Sequence, residues 1–345
     1  MTAKIAVEGP DGARMTLDLD RPPNPKELRR LQRRQHRLAA ANESTCDAVD
    51  AVRRLDKAGH IDDVRIRSSF IRLASPAPRD SSDRSAPKPE HRPPATRLMS
   101  PNGIALPFYL TSLYEAQCRT TPGHRPTGNE TPLRGAGGTP GWTSYIATPA
   151  KPSGDAKHRM SVLDKKLRQL CTTIERLNKE RLVDLPNADK KTGQCEGFLL
   201  MNEGARPGRP NDLYTVPTED FFTVPATLFT NGWIFVLEDS EIAMLLLAAR
   251  AFHKRGDTSF QLSATTRIMH YGIGRDAFEA HTMLDRLGLL EVIPDSRRRS
   301  DGKSTEYEKK GAQPHELRFL PHGLQNDAAA TLASELDHQI LRGRD

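Results

Sequence analysis

Residues 283–294, MLDRLGLLEVIP, carry the pattern that decides the predicted fold. Apolar residues at helical spacing lead to Gly288, and a short apolar run then stops at Pro294. This order predicts a helix that ends at the glycine and passes directly into a short strand. A similar order occurs upstream in LRQLCTTIERLNKERLVDLP, residues 167–186. Because an internal repeat determines the architecture, we expect two related units in one chain.

The residues before 283 extend the second unit. The acidic run 239–241 predicts a capped helix start, and the basic run 253–255 followed by Gly256 predicts its end. Ser263 is expected to cap a short helix that ends at Tyr271, and a turn containing two glycines then leads into a third helix over 275–287. Two helices joined by a three-residue turn that contains glycine fit the helix-turn-helix plan.

The polar stretch after each predicted strand leads to a return strand. The first unit is expected to have return strands at 197–201 and 212–216, and the second at 315–320. With these strands, residues 239–320 resemble a winged helix-turn-helix, in which DSRRR at 295–299 would form the basic wing. Two such units beside an arginine-rich composition resemble the replication initiators and regulators of actinobacterial plasmids and integrative elements. The resemblance implies DNA binding and a role in transcription regulation or replication.

The predicted fold class is mainly α with small β wings (α+β): tandem winged helix-turn-helix domains plus an N-terminal hairpin and helices. The hairpin is expected within residues 3–20, around the Asp-Gly turn at 11–12. The other helices outside the second unit are expected at 25–41, 45–58, 104–118 and 161–181, and at the C-terminus. The predicted domains are 1–74 (hairpin and basic helices), 75–97 (a disordered linker with six prolines), 98–218 (first winged helix, with a long insertion at 119–158), 219–325 (second winged helix) and 326–345 (C-terminal helix).

Composition narrows the functional class. The chain has 345 residues, a net charge of +7, a pI near 9.3 and a mean hydropathy of −0.61. We see no run of about 20 apolar residues and no secretory signal, and four cysteines without a Cys-x-x-Cys motif are typical of a reducing cytoplasm. Of the 51 cationic side chains 36 are arginine, whose planar guanidinium suits phosphate. A basic pI is also common in proteins that bind no nucleic acid.

The third helix of the first unit offers the best candidate DNA contacts. Residues 165–181 carry six cations against two carboxylates. Leucine and isoleucine at 167, 170, 174 and 177 are expected to face inward. The side chains expected to contact DNA are Lys165, Lys166, Arg168, Gln169, Thr172 and Arg176. The alternative is a solvated basic helix face.

The second unit has a different charge pattern, since its third helix carries a net charge of −1. Its expected DNA contacts are at the helix start and in the wing: Arg275, Arg297, Arg298, Arg299 and Lys303. Pairing of this acidic helix with another protein is the alternative.

Two further segments have open alternatives. Residues 26–37 hold six cations and one carboxylate, and those expected to contact a nucleic-acid backbone are Arg30, Arg33, Arg34 and Arg37. An ordinary amphipathic helix is an equal alternative. The C-terminal helix, with apolar residues at 332, 336 and 340, is expected either to pack on the body or to pair with a second copy in a homodimer.

Common enzyme motifs are either incomplete in the sequence or not found in it. Gly302-Lys303-Ser304 lacks the leading glycine of a phosphate-binding loop, since Arg297 occupies that position. His-x-His, His-Glu-x-x-His and Gly-x-Ser-x-Gly are not found in the sequence. We therefore expect a non-enzymatic cytoplasmic protein that binds duplex DNA sequence-specifically, with no cofactor, metal or membrane partner. The alternative is a winged-helix module for dimerisation or for binding another protein.

Overall fold

The computed structural model describes residues 22–56, 59, 61–78, 85–101, 103–150, 160–293 and 314–344. About half of the structure is helix and about a tenth is strand, in three small sheets. The predicted mainly-α class with small β elements is therefore confirmed. The predicted hairpin at 3–20 lies outside the described residues.

The first part of the chain is mostly helical, with 3₁₀ turns at Pro89–His91 and Trp142–Tyr145. Its elements are α1 (Pro25–Arg53), β1 (Asp63–Arg67), α2 (Ser68–Ile71), α3 (Pro94–Leu98), α4 (Ala105–Arg119), α5 (Val162–Lys179), β2 (Val183–Asp184) and β3 (Leu199–Leu200).

The second part alternates strands with helices and contains one 3₁₀ turn, Pro321–Gln325. Its elements are β4 (Phe221–Pro225), α6 (Thr227–Thr230), α7 (Trp233–Val236), α8 (Asp239–Arg255), β5 (Phe260–Gln261), α9 (Ala264–Tyr271), α10 (Arg275–Phe278), α11 (Ala280–Arg286), β6 (Leu290–Ile293), β7 (Glu316–Phe319) and α12 (Ala328–Arg342). β5, β7 and β6 form an antiparallel sheet in that order.

Helix α1 is one helix where the sequence predicted two. Asn24 and Glu27 form a capping box at its start, which holds the first turn. The polar run 42–44 was expected to interrupt it, but this run contains no glycine or proline, so nothing in it breaks the helical hydrogen bonds. At 29 residues and about 1.5 Å per residue, α1 spans roughly 43 Å.

A buried ion pair joins α1 to the start of α8. Arg34 donates to both carboxylate oxygens of Glu241, at 2.6 and 2.7 Å, and to the Val236 carbonyl at 3.2 Å. Arg34 is 6% exposed and Glu241 2% exposed. Glu241 also accepts from the Glu238 amide at 2.8 Å, so one carboxylate both caps α8 and binds α1.

The prediction that residues 75–97 form a disordered linker is wrong for residues 85–97. All five residues of α3 are buried, and Leu98 is fully enclosed. Proline is common in loops, but Pro94 occupies the first helical position, where its missing N–H costs nothing. Residues 79–84 lie outside the described part of the chain.

The described part of the 119–158 insertion supplies core side chains. Trp142 is 1% exposed and packs against Phe108 and Phe198, with ring centroids 5.5 and 5.0 Å away. Its indole N–H donates to the Asn129 side chain at 3.0 Å. The loop therefore closes the core over α4, because its aromatic residues bury more apolar surface than its glycines and prolines suggest.

The two predicted units differ in completeness. The second has the order helix, strand, helix, paired short helices, strand, strand, from α8 to β7. Its predicted third helix is divided at Glu279 into α10 and α11. Among the described residues, the first unit has α4, α5 and a two-stranded pairing of β2 with β3, and its second expected return strand is only a bridge between Met201 and Leu213.

Contacts cross every predicted domain boundary for which residues are described. β1 pairs antiparallel with β4 from Asp63 opposite Pro225 to Arg67 opposite Phe221. One hydrophobic cluster extends from Leu31 to Ile340 and includes residues of α4, α5 and α8. The predicted segments therefore share a core.

We expect Arg34→Met to destabilise the protein by about 3–5 kcal/mol, because it leaves the Glu241 carboxylate buried without its partner. The matched control Arg33→Met removes an exposed cation one residue away and should stay within about 0.5 kcal/mol. Urea unfolding followed by circular dichroism measures both. Equal losses in the two variants would contradict the role given to the pair.

Arg92 and Thr96 pack on the turn after α9. Gly272 has φ 65°, and a Cβ there would lie 2.9 Å from the Arg92 side chain and the Thr96 hydroxyl. Gly288 has φ 68° after α11 and open space around the same position. Gly272→Ala should cost about 1–3 kcal/mol more than Gly288→Ala in unfolding free energy, because only the first adds a steric clash. Equal thermal unfolding midpoints would show that the 92–96 segment does not pack there.

Candidate nucleic-acid interface

Helix α5 has a fixed start. The Ser161 hydroxyl accepts from the Asp164 amide at 3.1 Å, and Asp164 in turn accepts from the Ser161 amide at 3.3 Å. Hydrogen bonding from Ser161, and then the Arg134 guanidinium at 2.6 Å, hold the pKa of Asp164 below its usual range. The carboxylate therefore stays ionised where the helix dipole favours negative charge.

The inward face of α5 follows the predicted spacing. Leu170, Ile174 and Leu177 are fully buried, while Leu167 is half-buried. This face fixes the rotation of the helix about its axis. Positions 165, 168, 169, 172 and 176 are consequently left on the other side.

The outward side chains of α5 line one open groove of about 500 Å³. Residues 103–105, which lead into α4, and Met160 also line it. Five predicted contacts are brought together there: Lys165, Arg168, Gln169, Thr172 and Arg176. Three of the ten lining residues are cations and none is a carboxylate, so the groove carries positive charge.

Arg168 and Arg176 are held differently. Arg168 is exposed and makes no ion pair with any residue that the structure describes. Arg176 is half-buried and donates to the Arg97 carbonyl at 3.0 Å. Arg97 itself pairs with Glu180 at 2.7 Å and donates to the Ala205 carbonyl at 3.0 Å. Sequence reasoning missed Arg97 because it lies in the segment expected to be a linker.

Lys166, predicted as a DNA contact, does not line the groove. It is 9% exposed, and its burial lowers the pKa of its amine although the charge of Asp47 on α1 opposes this. The position just before Leu167 turns its side chain toward α1. Apolar spacing alone does not show which neighbouring helix covers that side.

The predicted arginine arm is mostly engaged within the protein. Arg30 and Arg37 pair with Glu238 at 2.6 and 3.0 Å, and Arg34 is buried against Glu241. Arg34 is therefore not a candidate for contact with nucleic acid. Arg33 is exposed, as are Lys26 and Arg29 at helical spacing before it. These three form an exposed basic stripe on α1.

The acidic residues 238–241 were the available signal for this engagement. The sequence predicts a helix start from 239–241, while Glu238 and Glu241 also pair with arginines of α1. Clustered opposite charges on two predicted helices therefore indicated a contact between those helices.

Of the DNA contacts expected in the second unit, the described residues include only Arg275. Arg275 is exposed at the start of α10. Residues 278–283 and Arg286 face a cleft of about 450 Å³ whose other wall is α1, including Glu27 and Arg30. The expected wing contacts Arg297, Arg298, Arg299 and Lys303 lie outside the described residues.

Across the described ranges, no three His, Cys, Asp or Glu side chains lie close enough to hold a metal ion. Burial raises the pKa of both Cys118 and Cys195 to about 12, so these thiols stay protonated at neutral pH and are poor nucleophiles.

No helix in the part of the chain that the structure describes has both the length and the apolar character needed to cross a bilayer. Comparisons of this chain with protein-family models, with curated proteins and with solved structures find no match.

Proposed function

We propose that this protein binds duplex DNA without catalysing a reaction, and that the α5 groove is its main contact surface. The observation that carries the proposal is the charge of the groove, whose described lining includes three cations, three neutral polar side chains and no carboxylate. Guanidinium and ammonium groups bind phosphate oxygens, while amide and hydroxyl groups hydrogen-bond base edges. Gln169 and Thr172 are the residues proposed to read sequence.

The exposed basic stripe of α1 is proposed as a second backbone contact. Lys26, Arg29 and Arg33 add three cations to the three of the groove. Neutralising about six phosphates would give a log–log salt slope of roughly −5. The stripe would position the duplex without reading its sequence.

The order of elements in residues 239–319 supports a winged helix for the second unit. Helix, strand, helix, paired short helices and two strands follow one another, and the three strands form one sheet. With the resemblance drawn from the sequence, we propose a cytoplasmic role in transcription regulation or in marking an origin on a plasmid or integrative element.

The proposal predicts salt-sensitive DNA binding that depends on α5. Fluorescence anisotropy with random-sequence duplex DNA at two salt concentrations should show affinity that falls steeply as salt rises. Lys165→Glu combined with Arg168→Glu should weaken binding on the order of 100-fold, because two phosphate contacts become repulsions. The control Lys190→Glu with Lys191→Glu makes the same charge change at exposed positions outside the groove. Equal losses in both double variants would reject α5 as the contact surface.

A protein-interaction module is the second candidate. The exposed first turn of α10 and the residue after it carry Asp276 and Glu279 against Arg275, a balance that repels phosphate. If the full chain binds no DNA at low salt and light scattering shows a dimer that Asp276→Arg disrupts, the interaction-module function replaces DNA binding.

A further inference from the structure

A further cavity adjoins the groove. It has a volume of about 340 Å³ and is lined by α1, residues 145–149, the start of α4 and residues 234–239. Sites for small molecules occupy roughly 300–1,000 Å³. The cavity is therefore large enough for a small ligand, and the proposed DNA contacts do not require it.

The walls are mainly apolar. The chief hydrophobic lining residues are Leu38, Ile104, Phe108, Ile146, Phe235 and Leu332. They come from five separate segments of the chain, so the cavity is a product of tertiary packing. Such a surface favours a ligand with an apolar body.

The charged groups in the walls are paired, with one exception. Glu238 is bound by Arg30 and Arg37, and Arg34 is bound by Glu241. Asp239 also lines the cavity, and it forms no ion pair with any residue in the described ranges. Within the described ranges it accepts one hydrogen bond, from the Ser100 amide at 2.7 Å.

Three carboxylates lie at the start of α8, at positions 238, 239 and 241. A helix start stabilises negative charge, but three acids exceed what its partial positive charge balances. Two of them have arginine partners from α1 and the third does not. Burial raises the pKa of Asp239 to about 7, with Arg176 lowering it and Glu238 raising it further.

We propose that this cavity binds a small organic cation, a molecule with an apolar body and a protonated amine, and that the ammonium group pairs with Asp239. The apolar walls hold the body, and the carboxylate supplies the charge that the surrounding arginines leave unmatched. A ligand anion is disfavoured because the arginines in the walls already have carboxylate partners. Binding in this cavity does not require DNA in the groove, although Gln169 lines both.

Calorimetric titration of the full chain tests the proposal with benzylamine as the probe, and benzyl alcohol and benzoate as its neutral and anionic counterparts. At pH 8 benzylamine should bind at least about tenfold more tightly than either, because only it offers a cation to Asp239. Tighter binding of benzoate, or no binding of benzylamine at millimolar concentration, overturns the proposal.

Two variants separate the charge from the cavity. Asp239→Asn can still accept from the Ser100 amide, and it should weaken benzylamine about tenfold and leave benzyl alcohol unchanged. Ala41→Phe fills the space from the α1 side and should abolish binding of both. Asp257→Asn, an exposed carboxylate beyond the other end of α8, is the control and should change neither. Unaltered benzylamine affinity in Asp239→Asn overturns the assignment.

The pH dependence gives a readout that loss of folding does not mimic. The cation binds the ionised carboxylate, so its affinity rises as pH passes upward through the pKa of about 7. Between pH 6 and pH 8 the ionised fraction, and with it the affinity, should increase about tenfold. The rise should vanish in Asp239→Asn. A pH-independent affinity in the unmodified protein contradicts pairing with Asp239.

Discussion

The buried contact between Arg34 and Glu241 is the constraint on which the rest of the structure depends. It fixes the longest helix, α1, to the start of α8, the helix at the centre of the second unit. Since α1 also packs against the 3₁₀ turn at 142–145, its position determines where the insertion closes over α4. A buried ion pair adds little net stability, but it specifies one arrangement because every alternative leaves a charge unmatched.

Local signals in the sequence were enough to predict helices α8 and α9 and strands β6 and β7 of the second unit. Ser263 caps α9, Gly256 and Gly272 end α8 and α9 with positive φ, and apolar spacing marks the buried faces. Each of these features acts over only a few residues, so a short stretch of sequence is enough to predict the helix end that it forms. The helix break expected at 42–44 was wrong because that run contains no glycine or proline. The disordered linker expected at 75–97 was wrong for residues 85–97, where burial of residues 94–97 in the body of the protein orders the chain.

At the candidate interface, too, the sequence predicted the exposed side of a helix but not the contacts between distant helices. The apolar residues at 170, 174 and 177 are buried as predicted, which leaves the opposite side of α5 open. Five of the predicted contacts line one groove on that side. Lys166 and Arg34 look equivalent to their neighbours in a charge count, yet both are buried. Which cations remain in water depends on helices that are distant in sequence, namely α1 for Lys166 and α8 for Arg34.

The wall between the cavity and the groove belongs to both. Gly103, Ile104 and Gln169 line each of them, so an occupant of either touches the same three residues. Equilibrium coupling between two such sites is reciprocal. If a ligand in the cavity changes affinity in the groove by some factor, a ligand in the groove changes affinity in the cavity by the same factor. A factor above one would make the two sites cooperative, and a factor far below one would make their occupation mutually exclusive.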